Sequence, residues 1–177
     1  MSHLQSTQEE FVEFLKTLAI EVKGLSILDV GCKNDTCVPF FQWTLHMQWT
    51  GIDNNPEKYA KHNRLLKMDM INLQSLYGNN FDFIFVCHSL EHCENPIQAL
   101  KEFKKVLKED GWLFISLPCP CKHHVLESDN DHLFCFNEMQ IERLLTYTEW
   151  KNIKCYKGLK GGYGDTGMYN VIGVGQK

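Results

Sequence analysis

Leu25-Ser26-Ile27-Leu28-Asp29-Val30-Gly31 is followed, 17 residues after its glycine, by Gln48-Trp49-Thr50-Gly51-Ile52-Asp53. Each is a short apolar and β-branched run, the first stopped by a glycine and the second by an acid, which is how a buried strand and its turn read in sequence. The aromatic-rich interval Thr36 to Met47 predicts a helix between them. Strand, helix, strand is the opening of a parallel sheet, and the rest of the chain continues it. Pro56 suits the first turn of a helix to about Asn63, and Leu65 to Asp69 reads as a third strand that again ends in Asp. Phe81 to Cys87 is the most apolar stretch and reads as a central strand covered on both faces. Asn95 caps a helix with Pro96 at its first position; Ile97, Leu100, Phe103, Val106 and Leu107 mark its buried side until Asp110-Gly111. Trp112 to Leu117 is a fifth strand, stopped by Pro118.

Upstream, Phe11, Phe14, Leu15 and Leu18 recur at helical spacing and Lys23-Gly24 supplies a stop, so an amphipathic helix precedes the first strand. Downstream, after an irregular segment to Phe136, Asn137 and Gln140 have the form of a capping box, with Met139, Ile141, Leu144 and Leu145 behind it. Lys151 to Leu159 and Tyr169 to Val174 read as two strands joined by a glycine-rich loop, a hairpin-like close to one sheet edge. The expected whole is one domain over 1–177: an N-terminal helix over 1–24, a ligand-binding core over 25–117, and a loop, helix and edge strands over 118–177. Ligands of such sheets sit at the carboxyl ends of the strands.

Composition narrows the partners. The 177 residues carry 18 Lys and Arg against 22 Asp and Glu, a formal charge of −4, so the basic footprint of a nucleic-acid binder is lacking and no nucleic acid is expected. The longest strictly apolar run, Phe83 to Cys87, is far below the roughly 20 residues that span a bilayer, so no membrane association is expected. The first ten residues lack the basic start and apolar core of a secretory signal, and a cytoplasmic location is expected. Eight cysteines spread from Cys32 to Cys155, several within apolar runs, suit buried reduced thiols better than a disulfide framework.

Asp53 lies 24 residues after Asp29. In a nucleotide-binding sheet the glycine after the first strand admits the ligand to the backbone, and an acid about 20 residues on accepts both hydroxyls of a ribose. The alternative is that both acids cap the segments that follow them. Taken in order, Ile27-Leu28-Asp29-Val30-Gly31-Cys32, Gly51-Ile52-Asp53, Met68-Asp69-Met70, Phe81 to Val86, Leu90-Glu91-His92 with Asn95-Pro96, and Leu107 to Leu117 resemble class I S-adenosylmethionine-dependent methyltransferases of the small-molecule type. The resemblance covers about residues 25–150. It implies a Rossmann-like, doubly wound α/β fold: a mostly parallel seven-stranded sheet with an antiparallel C-terminal hairpin strand.

The resemblance also implies S-adenosylmethionine as cofactor, S-adenosylhomocysteine as product, and a small-molecule methyl acceptor, with room for a partner protein or a homodimer. Asp29, Gly31 and Cys32 would lie at the methionine end, Asp53 on the ribose, Asn54 beside the adenosine, Asp69 and Met70 at the adenine, and His88 near the methionine moiety. His88 is the first candidate for a base, with His124 and His132 next, since imidazole titrates near neutrality. The chain departs from the family at Lys33 and Asp35, where further glycines are usual, which raises the alternative of a catalytically silent binding or regulatory subunit. His88-Ser89-Leu90-Glu91-His92 has the His-x-x-Glu-His form of a zinc peptidase helix, but Asn95-Pro96 leaves such a helix little room. Cys119, Cys121, His123, His124, His132 and Cys135 are dense yet match no standard zinc spacing, so no metal is expected.

Overall fold

The computed structural model describes residues 3–57, 61–78, 80–118, 132–160 and 169–177. Seven strands form one sheet in the order β3-β2-β1-β4-β5-β7-β6. They are β1 Ser26–Val30, β2 Gln48–Asp53, β3 Leu65–Lys67, β4 Phe81–Cys87, β5 Leu107–Pro118, β6 Lys151–Lys160 and β7 Tyr169–Gln176. β1 pairs in parallel with both β2 and β4, β2 with β3, and β4 with β5, while β7 is antiparallel to β5 and to β6. The doubly wound, mostly parallel sheet with an antiparallel hairpin at its end is therefore the expected one. Strand order reverses between β1 and β4, and at such a switch point a crevice opens beyond the carboxyl ends of the strands.

Alternation along the central strands divides the core in two. Leu28, Val30, Ile84, Val86, Leu113 and Ile115 face one layer, under α2 (Pro96–Val106) and α3 (Glu138–Tyr147). Ile27, Phe83, Phe85 and Phe114 face the other, under α1 (His3–Leu18) and one π-helical turn over Pro39–Thr44. Phe11 of α1, with no exposed surface, sits among Phe41, Phe83, Phe85 and Phe114 at centroid separations of 5.2–6.0 Å, mostly edge to face. Such ring pairs add to the area they bury.

Three local expectations are corrected. The helix expected over 36–47 is only the turn Pro39–Thr44, and Trp43 is 70% exposed while Phe41 is buried; so short a turn turns one side inward, and residues two apart diverge. Of the helix expected over 56–63, residues 56, 57 and 61–63 are not helical. α2 stops at Val106 rather than at Asp110, because Leu107 leaves the helix to pair with Phe81 at the start of β5. The capped starts hold: Asn95 accepts from the Gln98 N–H at 3.0 Å, and Asn137 and Gln140 make the reciprocal capping box. No helix is long and apolar enough to cross a membrane among the described residues.

Candidate functional site

A cavity of about 460 Å³ opens at the switch point, lined by the ends of β1, β2 and β4 and the segments that follow them. Its size is that of small-molecule sites, roughly 300–1,000 Å³. Gly31, Asp53, Asn54, Asp69, Met70 and His88 all line it, so six residues singled out from sequence converge on one space.

Asp53 ends β2, and backbone donors fix its carboxylate: the Lys33 N–H reaches Oδ2 at 2.9 Å and the Asn55 N–H reaches Oδ1 at 2.8 Å. A carboxylate has about four lone-pair positions, so both oxygens keep acceptor capacity toward the cavity. Gly31 has φ +69, a left-handed conformation glycine adopts without cost. The space is equally restrictive: a Cβ there would lie 2.2 Å from Ser89 Cβ, and Ser89 Oγ is itself bound to the Val30 carbonyl at 2.9 Å. Asp69 is held by the Ile71 N–H at 3.1 Å, with Met70 beside it in the lining.

Asp29 and Cys32 are not in the lining. Asp29 points to the α1 side of the sheet, 1% exposed, where the Trp49 Nε1–H donates to Oδ2 at 3.0 Å. Burial pushes its pKa up from 3.8 to about 6, against the opposing hydrogen bonds of Trp49 and the Cys37 thiol. Cys32 packs under Gly51, its Sγ 3.5 Å from the Ile52 carbonyl. Burial raises the pKa of the Cys32, Cys37, Cys87 and Cys155 thiols, the latter two to about 12, so these are inert groups.

Lys33 and Asp35 find room. Lys33 adopts φ +57, which turns its N–H onto Asp53, while its ammonium projects outward to 3.6 Å from Glu57. Asp35 lies off the cavity and accepts from the Lys61 N–H at 3.3 Å.

At the opposite end His88, with φ +47, places Nε2 3.0 Å from Asn170 Oδ1 of β7. The Asn170 amide donates to Thr7 Oγ1 at 3.2 Å, and Thr7 Oγ1 lies 3.0 Å from Ser116 Oγ. With the amide nitrogen thus committed, Oδ1 accepts from the His88 Nε2–H. Nothing local signals Asn170 or Thr7, which lie 82 and 81 residues from His88 in sequence. His92, given no functional role from sequence, also lines the cavity. His132 lies behind it, its Nε2 3.9 Å from Glu91 Oε1. His124, and the cluster over 119–131 with it, falls outside the described residues, as does the glycine-rich loop over 161–168.

The model of a family described as a methyltransferase domain matches residues 3–154. The tRNA U34 carboxymethyltransferase of Campylobacter lari is 27% identical over 128 residues, covering 60% of this chain and 40% of that protein. The chain thus spans less than half the length of the curated relatives it matches. Among solved structures, a SAM dependent methyltransferase from Archaeoglobus fulgidus superposes with a TM-score of 0.73 at 17% identity over 96% of this chain and 94% of that one. The 1,6-didemethyltoxoflavin-N1-methyltransferase of Burkholderia thailandensis, solved with its substrate and S-adenosylhomocysteine, gives 0.68 at 14% identity over 98% and 88%. At such identities the likeness is one of fold.

Proposed function

The chain belongs to the methyltransferase domain family, and on that premise we propose that it binds S-adenosylmethionine in the switch-point cavity and moves the methyl group to an acceptor at the His88 end. Asp53 carries this reading: a carboxylate at the end of β2, aimed by two backbone N–H groups, is built to take the two hydroxyls of a ribose. Gly31 would let the methionine portion close on the backbone, Asn54 would flank the adenosine, and Asp69 and Met70 would meet the adenine. Asp29 and Cys32 would support that loop from beneath rather than touch the cofactor.

The sulfonium already makes the methyl electrophilic, so the chain's task is to align the acceptor atom in line with the sulfur–methyl bond, and positioning alone supplies much of the rate. His88 Nδ1, with Nε2–H tied to Asn170, would take the proton of an acceptor that must lose one. A small molecule is the acceptor that fits the net charge of −4 and a cavity of about 460 Å³. The Campylobacter relatives, named for tRNA U34, favour an RNA base as the second reading.

Calorimetric titration of S-adenosylmethionine and S-adenosylhomocysteine tests the cofactor. Micromolar binding is expected, weakened at least tenfold in Asp53→Ala. No binding by the folded chain would leave the silent binding subunit as the better account, with Lys33 and Asp35 as its marks. Transfer of labelled methyl into bulk tRNA, against transfer into a small-metabolite pool, separates the two acceptors.

A further inference from the structure

Glu91 lies in the 3-10 turn Leu90–His92, its carboxylate buried at 1% exposure. Its backbone carbonyl accepts the N–H groups of Leu133 and Phe134 at 2.9 and 3.1 Å. Those two bonds fasten a segment forty residues away onto the turn, and they bring His132 with it. His132 Nε2 and His92 Nε2 each stand 3.9 Å from the same oxygen, Glu91 Oε1, and the two rings meet at 4.7 Å and 65°. One ligand atom from each of Glu91, His92 and His132 falls within 4.8 Å of the others.

We propose that Glu91, His92 and His132 hold a divalent cation of the borderline class, such as zinc, at the acceptor end of the cavity. A distance of 3.9 Å is too long for a hydrogen bond. It is close to the ~3.4 Å that separates two ligands bound at ~2.1 Å on one tetrahedral metal, so small side-chain rotations close the set. Two imidazoles and one carboxylate suit zinc and its first-row neighbours better than magnesium or calcium, which prefer oxygen throughout. Three protein ligands leave at least one coordination position open. His92 lines the cavity and is 40% exposed on its side chain, whereas His132 is 8% exposed, so the open position faces the cavity. An acceptor oxygen or nitrogen bound there would be fixed and polarised beside the methyl donor. The His-x-x-Glu-His spacing misidentified the partner, since His88 Nε2 is turned to Asn170 and the second imidazole comes from His132.

Metal binding itself is the test, and it needs no cofactor, so its outcome is separate from that of the methyl-transfer reading. The protein is stripped with chelator, dialysed against zinc and analysed for metal, and cobalt(II) is added in parallel for its visible absorption. One cation per chain is expected, with cobalt bands of a nitrogen and oxygen site. His92→Ala and His132→Ala should each weaken retention more than tenfold, and Cys119→Ser with Cys121→Ser should not. His92 is exposed enough for its variant to fold, which circular dichroism checks, so the proposal does not hang on His132→Ala. No retention by folded wild-type protein, full retention by the His92 variant, or loss only in the cysteine variant would overturn it.

Discussion

Gly31 shows how tightly one residue is specified. The left-handed φ of +69 and a Cβ only 2.2 Å from Ser89 act together, so Gly31→Ala incurs both backbone strain and overpacking. A loss on the order of 3 kcal/mol is expected in a denaturant melt, with Ser89→Gly in the same chain recovering the overpacking share but not the strain. Asp29 yields a pH-dependent prediction. Its folded-state pKa of about 6 lies above the ordinary 3.8, so its contribution to stability is whole below about pH 4 and is lost as pH rises through 6. Asp29→Asn keeps an acceptor for the Trp49 N–H and has no such loss. It should therefore melt higher than wild type at pH 7.5, by a margin on the order of 3 kcal/mol that vanishes near pH 4. At this scale the sequence was readable where a strand ends: Asp53 and Asp69 sit at the carboxyl ends of their runs and reach the cavity. The direction of Asp29 was not, because it depends on Trp49 from a neighbouring strand.

Among the elements, the strands and capped helices were the legible part. β2 and β4 match their expected bounds, and α3 begins where Asn137 and Gln140 say it must. Asn137→Ala removes that box and should cost about 1 kcal/mol, seen as a fall of roughly 2–4 °C in Tm. The interval after β1 was misread because aromatic residues also serve a short turn that plugs one face of a sheet, as Phe41 does. β6 is an outer strand, and Lys151, Lys154 and Lys157 are exposed along it. Lysines on an outer strand oppose pairing with a second sheet. Replacing these three with Thr should raise concentration-dependent aggregation, read by light scattering, with little change in Tm.

In the molecule as a whole, α1 ties the aromatic layer to the site. Phe11 anchors it among four buried rings, and one turn earlier Thr7 bonds to Asn170, the partner of His88. Phe11→Ala should cost about 3–5 kcal/mol, lower Tm on the order of 10 °C, and release hydrogen-exchange protection over α1 before the central strands. The sequence marked Phe11 as apolar face but gave no sign of its neighbours, three of which, Phe83, Phe85 and Phe114, come from strands more than seventy residues downstream.

The placement of β7 between β5 and β6 has a consequence for biosynthesis. A chain emerges from the ribosome in order, so β5 and β6 are both out before the strand that joins them exists, and each waits with an unpaired flank. β6 pairs with β7 alone, so neither β6 nor the open edge of β5 has that partner until residues 169–176 arrive. Sheet closure is thus a late event in synthesis, and until it happens the nascent chain is a natural client for chaperones that shield open strand edges.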